Sequence, residues 1–94
     1  VLADVPPERA HVLTADQGEP ATMDRLWQQA LAIAPRIDCV VLNAAVFINS
    51  GGIEDEMDAW EHAWDTQWRV NAAGPARLMK HAVNHFVAQG GGVL

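Results

Sequence analysis

The sequence predicts an α/β fold: a partial parallel sheet in the order β-α-β-α-β, with flanking helices. Three observations predict it. A nearly continuous apolar run at 37–42 (IDCVVL) reads as a strand buried on both faces. Two longer segments carry apolar residues at spacings of three and four, the helical period. Strands that alternate with helices imply parallel pairing through right-handed crossovers.

The elements follow in order. Residues 1–9 (VLADVPPER) hold two consecutive prolines and read as a helix tail plus turn. Residues 10–15 (AHVLTA) are short and apolar, a candidate strand. Asp16 to Glu19 form a turn around Gly18, and Pro20 sits where the first turn of a helix tolerates proline. Met23, Leu26, Trp27, Ala30, Leu31 and Ala34 then make one apolar helix face, ended by Pro35. After the strand at 37–42, Asn43 to Gly52 read as a loop of small residues. Asp55 is the expected N-cap of a second, long helix. Its apolar positions are Met57, Trp60, Trp64, Trp68, Leu78, Met79, Ala82, Val83 and Phe86. Gly90 to Gly92 stop it, and Val93-Leu94 begin a third apolar run.

The chain has 94 residues and a formal net charge of −6, with only 6 Lys and Arg. An acidic surface argues against a nucleic-acid partner, which needs a basic face. No apolar run approaches the ~20 residues that span a bilayer, and no signal peptide is evident at the N-terminus. No membrane partner is therefore expected. The single cysteine, Cys39, excludes an intrachain disulfide and fits a reducing, cytoplasmic location. Within its apolar run, Cys39 reads as buried and inert. His81 and His85 have the i, i+4 spacing that can hold a metal, but no third ligand is evident, so no metal is expected. Trp60, Trp64 and Trp68 read as a core or interface stripe, not a stacking platform for bases.

Four stretches, in order, resemble the short-chain dehydrogenase/reductase family. They are LTAD (13–16), IDCVVLNAAV (37–46), WRVNAAGPARL (68–78) and GGGVL (90–94). The second is similar to the family's strand ending in Asn-Asn-Ala-Gly, the third to its helical Val-Asn-x-x-Gly. Asn43 and Asn71 lie 71 − 43 = 28 residues apart, about the family's separation. Two departures stand out: Leu42 replaces the first Asn, and Ala45 replaces the Gly. The resemblance implies an NAD(P)-dependent oxidoreductase that interconverts a small-molecule secondary alcohol and a ketone by hydride transfer. It implies NAD or NADP as cofactor, a Rossmann-type sheet of strand order 3-2-1-4-5-6, and a homo-oligomer in which the long helix packs on its copy.

The resemblance also implies site residues. Asp16 would accept a hydrogen bond from the adenine amino group, and the backbone at Gln17 would complete that contact. Asn43, Ala44 and Ala45 would line the ribose and nicotinamide side of the cofactor. Asn71 would offer its backbone carbonyl to a water of the catalytic proton relay. The local sequence supports that last role independently. In a helix the amide of residue 75 would bond the Asn71 carbonyl. Residue 75 is Pro, with no amide hydrogen and a ring that pushes the carbonyl away. The Asn71 carbonyl is left free, and a kink is expected there.

Other family parts are missing. No G-x-x-x-G-x-G loop occurs, there is no tyrosine, the only lysine is Lys80, and the only serine is Ser50. Residues 1–94 therefore read as the central part of a single NAD(P)-binding domain, cut at both ends and inactive alone. The alternative is a non-catalytic, stand-alone nucleotide-binding or interaction module derived from the same fold. The strands present would correspond to the third, fourth and start of the fifth. With the intervening two absent, 10–15 is expected to move in and pair parallel with 37–42.

Overall fold

A computed structural model describes residues 3–49 and 52–94. Val1, Leu2, Ser50 and Gly51 lie outside the described residues, and with them the first two residues of the expected helix tail and the chain's serine. A short 3-10 turn, Pro7–Arg9, comes first. Helix α1 spans Pro20–Ile33, with Pro20 in its first turn as the sequence requires. Helix α2 spans Met57–Trp68, a π turn covers Arg69–Ala73, and helix α3 runs Gly74–Gln89.

The core lies where α1 packs on α3. Met23 is 1 % exposed, and Trp27, Ala82 and Phe86 form one buried cluster with Leu31, Ile37, Val40 and Leu78 against it. The i, i+4 series on α1 delivers Met23 and Trp27 to that face. Trp27 stacks on His81 at a centroid distance of 5.9 Å and meets the edge of His85 at 5.6 Å. Helix α3 ends at Gly90, whose φ of 93° is the left-handed conformation that glycine adopts without a Cβ clash. The amides of Gly90 and Gly91 both reach the Phe86 carbonyl, at 3.0 and 2.8 Å.

The expected parallel α/β sheet is not formed. Among the described residues there is no strand; the β pairing is one isolated parallel bridge, Cys39 with Val93. Its two hydrogen bonds run from Val40 N–H to the Val93 carbonyl and from Val93 N–H to the Asp38 carbonyl, each 2.9 Å. Residues 10–15 make no backbone hydrogen bond to 37–42, so the expected shift of that segment does not occur. The physical reason is burial. A strand pair needs a covered face to offset the entropy of ordering it. Val12 is exposed and Val41 is 79 % exposed, so neither run has a covered face. Cys39, expected inside, is exposed for the same reason.

One further expectation is corrected, and one of two alternatives for the tryptophans, the core, does not hold. The N-cap of α2 is Glu56, not Asp55, and it makes no side-chain capping bond. Asp55 serves the preceding turn, its carboxylate accepting from the Gly52 amide at 3.0 Å. Trp60, Trp64 and Trp68 lie outside the core, on an open face of α2, with Trp68 67 % exposed. No helix among the described residues is long and apolar enough to cross a membrane.

Candidate functional site

The turn that follows residues 10–15 is built by Asp16. One Asp16 carboxylate oxygen accepts the Gly18 amide at 2.9 Å, and the Asp16 carbonyl takes the Glu19 amide at 3.0 Å and the Thr22 hydroxyl. This local closure is the habit of Asp in turns. It leaves lone pairs on the carboxylate for another donor. Beside it opens a cavity of about 420 Å³, lined by Thr14, Ala15, Asp16, Thr22, Arg25 and Gln29. An amino-purine fits the chemistry there, since its amino group donates and an exposed carboxylate accepts.

Gln17 reaches away from that cavity. Its side-chain amide donates to the Ala44 carbonyl at 2.9 Å and to the Val70 carbonyl at 2.6 Å. The turn therefore adjoins both the 43–45 segment and the π turn. Asn43, Ala44 and Ala45 are exposed, leaving their outer side open. Asn71 joins the same cluster through its side chain. Its Oδ1 accepts the Val46 amide at 2.8 Å, and its Nδ2 donates to the Val46 carbonyl at 2.7 Å. Gln67, one turn earlier, accepts the Ile48 amide at 3.4 Å.

Five of the six expected site residues thus belong to two of the three segments that meet here, and the sixth, Asn71, lies on the third. The expected contact chemistry differs in kind. Sequence reasoning placed the backbone of Gln17 and the carbonyl of Asn71 at the site; the side chains of both do the assembling. The kink expected at Gly74-Pro75 takes the form of the π turn. The Gly74 amide bonds the carbonyl of Arg69, five residues back. Single π turns inside helices are a frequent mark of functional sites.

Gly74 has a steric role as well. A Cβ there would lie 2.1 Å from the Gln17 carbonyl oxygen and 2.8 Å from its Cγ. Only glycine lets the turn lie directly on the helix.

A second polar cluster, missed by the sequence reading, ties α1 to α3. Arg77 donates two hydrogen bonds to the Asp24 carboxylate, both 2.8 Å, and His81 Nε2 lies 2.7 Å from it. An ionised carboxylate only accepts, so His81 carries its proton on Nε2. Arg77 first, and His81 second, hold the Asp24 carboxyl well below the usual carboxylate range; the Arg77 guanidinium is raised in turn by Asp24. The signal was present as Asp24 on the flank of the α1 stripe, but nothing local named its partner. His85 accepts the Ile37 amide at 3.1 Å, so the His81/His85 pair serves packing. No metal-binding group of three or more His, Cys, Asp or Glu occurs among the described residues.

No curated protein matches the chain. The family model described as Enoyl-(Acyl carrier protein) reductase matches residues 2–94. The match takes in all three segments of the cluster, from Asp16 to Asn71. The chain belongs to the family that this model describes, within the short-chain dehydrogenases/reductases, a family of oxidoreductases.

Proposed function

We propose that residues 1–94 are the central part of a single NAD(P)-binding domain, in an enzyme that interconverts a secondary alcohol and a ketone. One observation supports this above the others. The Asp16–Gln17 turn, the 43–46 segment and the π turn meet through side-chain hydrogen bonds that span up to 53 residues of sequence. NAD or NADP, when bound, supplies or takes the hydride. Asp16 accepts a hydrogen bond from the adenine amino group, with the Gln17 backbone beside it. Asn43, Ala44 and Ala45 line the ribose and nicotinamide side. The Asn71 carbonyl, deprived of an amide by Pro75, orients a water that serves proton transfer. The carbonyl-side proton donor comes from another part of the protein, since this chain has no tyrosine. The exposed Trp60, Trp64 and Trp68 face fits contact with a second copy. We place the protein in the cytoplasm.

The matched family description favours a second reading, reduction of a carbon–carbon double bond in an enoyl thioester. The three-segment cluster serves either reaction, because it lies on the cofactor side. The test is turnover by the full-length protein with NADH and NADPH. Reduction of a panel of small ketones supports the first reading. Activity on a crotonyl thioester alone replaces it with the second. A protein that binds cofactor without turnover on either is the non-catalytic module, and residues 1–94 alone are expected to be inactive.

A further inference from the structure

We propose that Gln17 is a positioning residue, whose side-chain amide sets the spacing between the 43–46 segment and the Asn71 turn. The inference rests on the cofactor-site reading above and deepens it. It begins with a gap in the helix. In an unbroken α-helix the Val70 carbonyl would receive the Gly74 amide. The Gly74 amide is committed to Arg69 instead. The next amide in line belongs to residue 75, and proline has none. Val70 therefore has neither an i+4 nor an i+5 helical donor, at a position that is only half exposed. A carbonyl in that state needs a donor from elsewhere.

Gln17 supplies it. A primary amide has two N–H groups, and here each goes to a different element: one to Val70 at 2.6 Å, the other to Ala44 at 2.9 Å. Ala44 belongs to the segment that lines the cofactor, and Val70 precedes Asn71. One planar group with fixed donor geometry thus spans the two. Both surroundings of Gln17 are built for it. Gly74 has no Cβ to displace its backbone, and a Cβ on Gly18 would already touch Val70 at 3.3 Å. Asn71 then holds Val46, two residues beyond Ala44, from the same turn. Gln17 and Asn71 together clamp the segment to the helix at two points.

The test compares Gln17→Leu and Gln17→Glu with wild type in the full-length protein. Leucine keeps the length and removes both donors; ionised glutamate turns acceptors toward two carbonyl oxygens. Two readouts are taken: amide hydrogen exchange by residue, and the dissociation constants of NADH and NADPH from quenching of tryptophan fluorescence. Exchange at Val46 and Gly74 should rise about tenfold in Gln17→Leu while Ala82 and Phe86 are unchanged. The dissociation constant of the preferred cofactor should rise about tenfold in Gln17→Leu and further in Gln17→Glu. Unchanged exchange at Val46 and Gly74 overturns the clamp. Faster exchange throughout the α1–α3 core means a structural role only, and overturns it too. Local loosening with unchanged cofactor affinity overturns the positioning role but leaves the site reading in place, since wild type still binds. Wild type that binds neither NADH nor NADPH removes the site reading, and the positioning role with it.

Discussion

Asn71 holds Val46 by both of its backbone groups. The Asn71 side chain accepts the Val46 amide at 2.8 Å and donates to the Val46 carbonyl at 2.7 Å, across 25 residues of sequence. A side-chain amide carries its carbonyl acceptor and its N–H donors on one carbon, so it can serve the amide and the carbonyl of a single residue at once. The pairing gives Asn71 a duty separate from the one its backbone carbonyl is proposed to perform.

Asn71→Ala removes both bonds and leaves Val46 to water. The two bonds are exposed, so the stability loss should be modest, about 1–2 kcal/mol in a urea melt. Turnover of the full-length enzyme should fall by about tenfold or more, because the segment proposed to line the cofactor loses its anchor. An unchanged turnover would separate the Val46 contact from function.

Pro75→Ala tests the origin of the π turn. Alanine restores an amide at residue 75, which can bond the Asn71 carbonyl in the ordinary α register. The Gly74 amide is then free to bond Val70, and Gln17 loses one acceptor. Turnover should drop, and amide exchange at residue 75 should show helical protection. A variant with full activity would show that neither the free Asn71 carbonyl nor the π turn matters.

Gly74→Ala sets two effects against each other. Alanine gains about 1 kcal/mol over glycine in a helix interior. Against this, its Cβ would sit 2.1 Å from the Gln17 carbonyl oxygen, backbone that cannot swing aside. Overpacking of this kind costs about 1–3 kcal/mol. A net loss of up to about 2 kcal/mol is expected, with weaker cofactor binding. A more stable variant would show that the turn moves freely off the helix.

Asp24 links α1 to α3, and its stabilising effect depends on pH. Arg77 and His81 depress its carboxyl in the folded chain. A depressed carboxylate contributes stability above its unfolded value, about 3.9, and loses that contribution as pH falls below it. The stability difference between wild type and Asp24→Asn should therefore be constant near neutral pH and shrink below about pH 4. A difference that stays constant through pH 3 would rule out this origin. The groups are partly exposed, so added salt should also reduce it.

Much of this protein was legible along the chain because the relevant physics is local. The four-residue spacing of Met23 and Trp27, and of Ala82 and Phe86, sets the helical faces that bury them. Pro20 and Gly90 mark helix ends through their own backbone limits. The four family-like stretches singled out Asp16, Asn43 and Asn71, each on one of the three segments that side-chain hydrogen bonds join. Pro75 announced that the helix could not continue unchanged. The tertiary structure alone decided what depends on distant partners. The runs at 10–15 and 37–42 have strand composition, but composition does not supply a neighbour, and only the Cys39–Val93 bridge forms. A ladder is a contract between two segments, and burial of its faces is what holds it; Val41 lies open to solvent instead. Gln17 carries no sign in the sequence that its amide spans Ala44 and Val70. That role arises because the π turn leaves the Val70 carbonyl without a helical donor, and the fold brings Gln17 within reach of it.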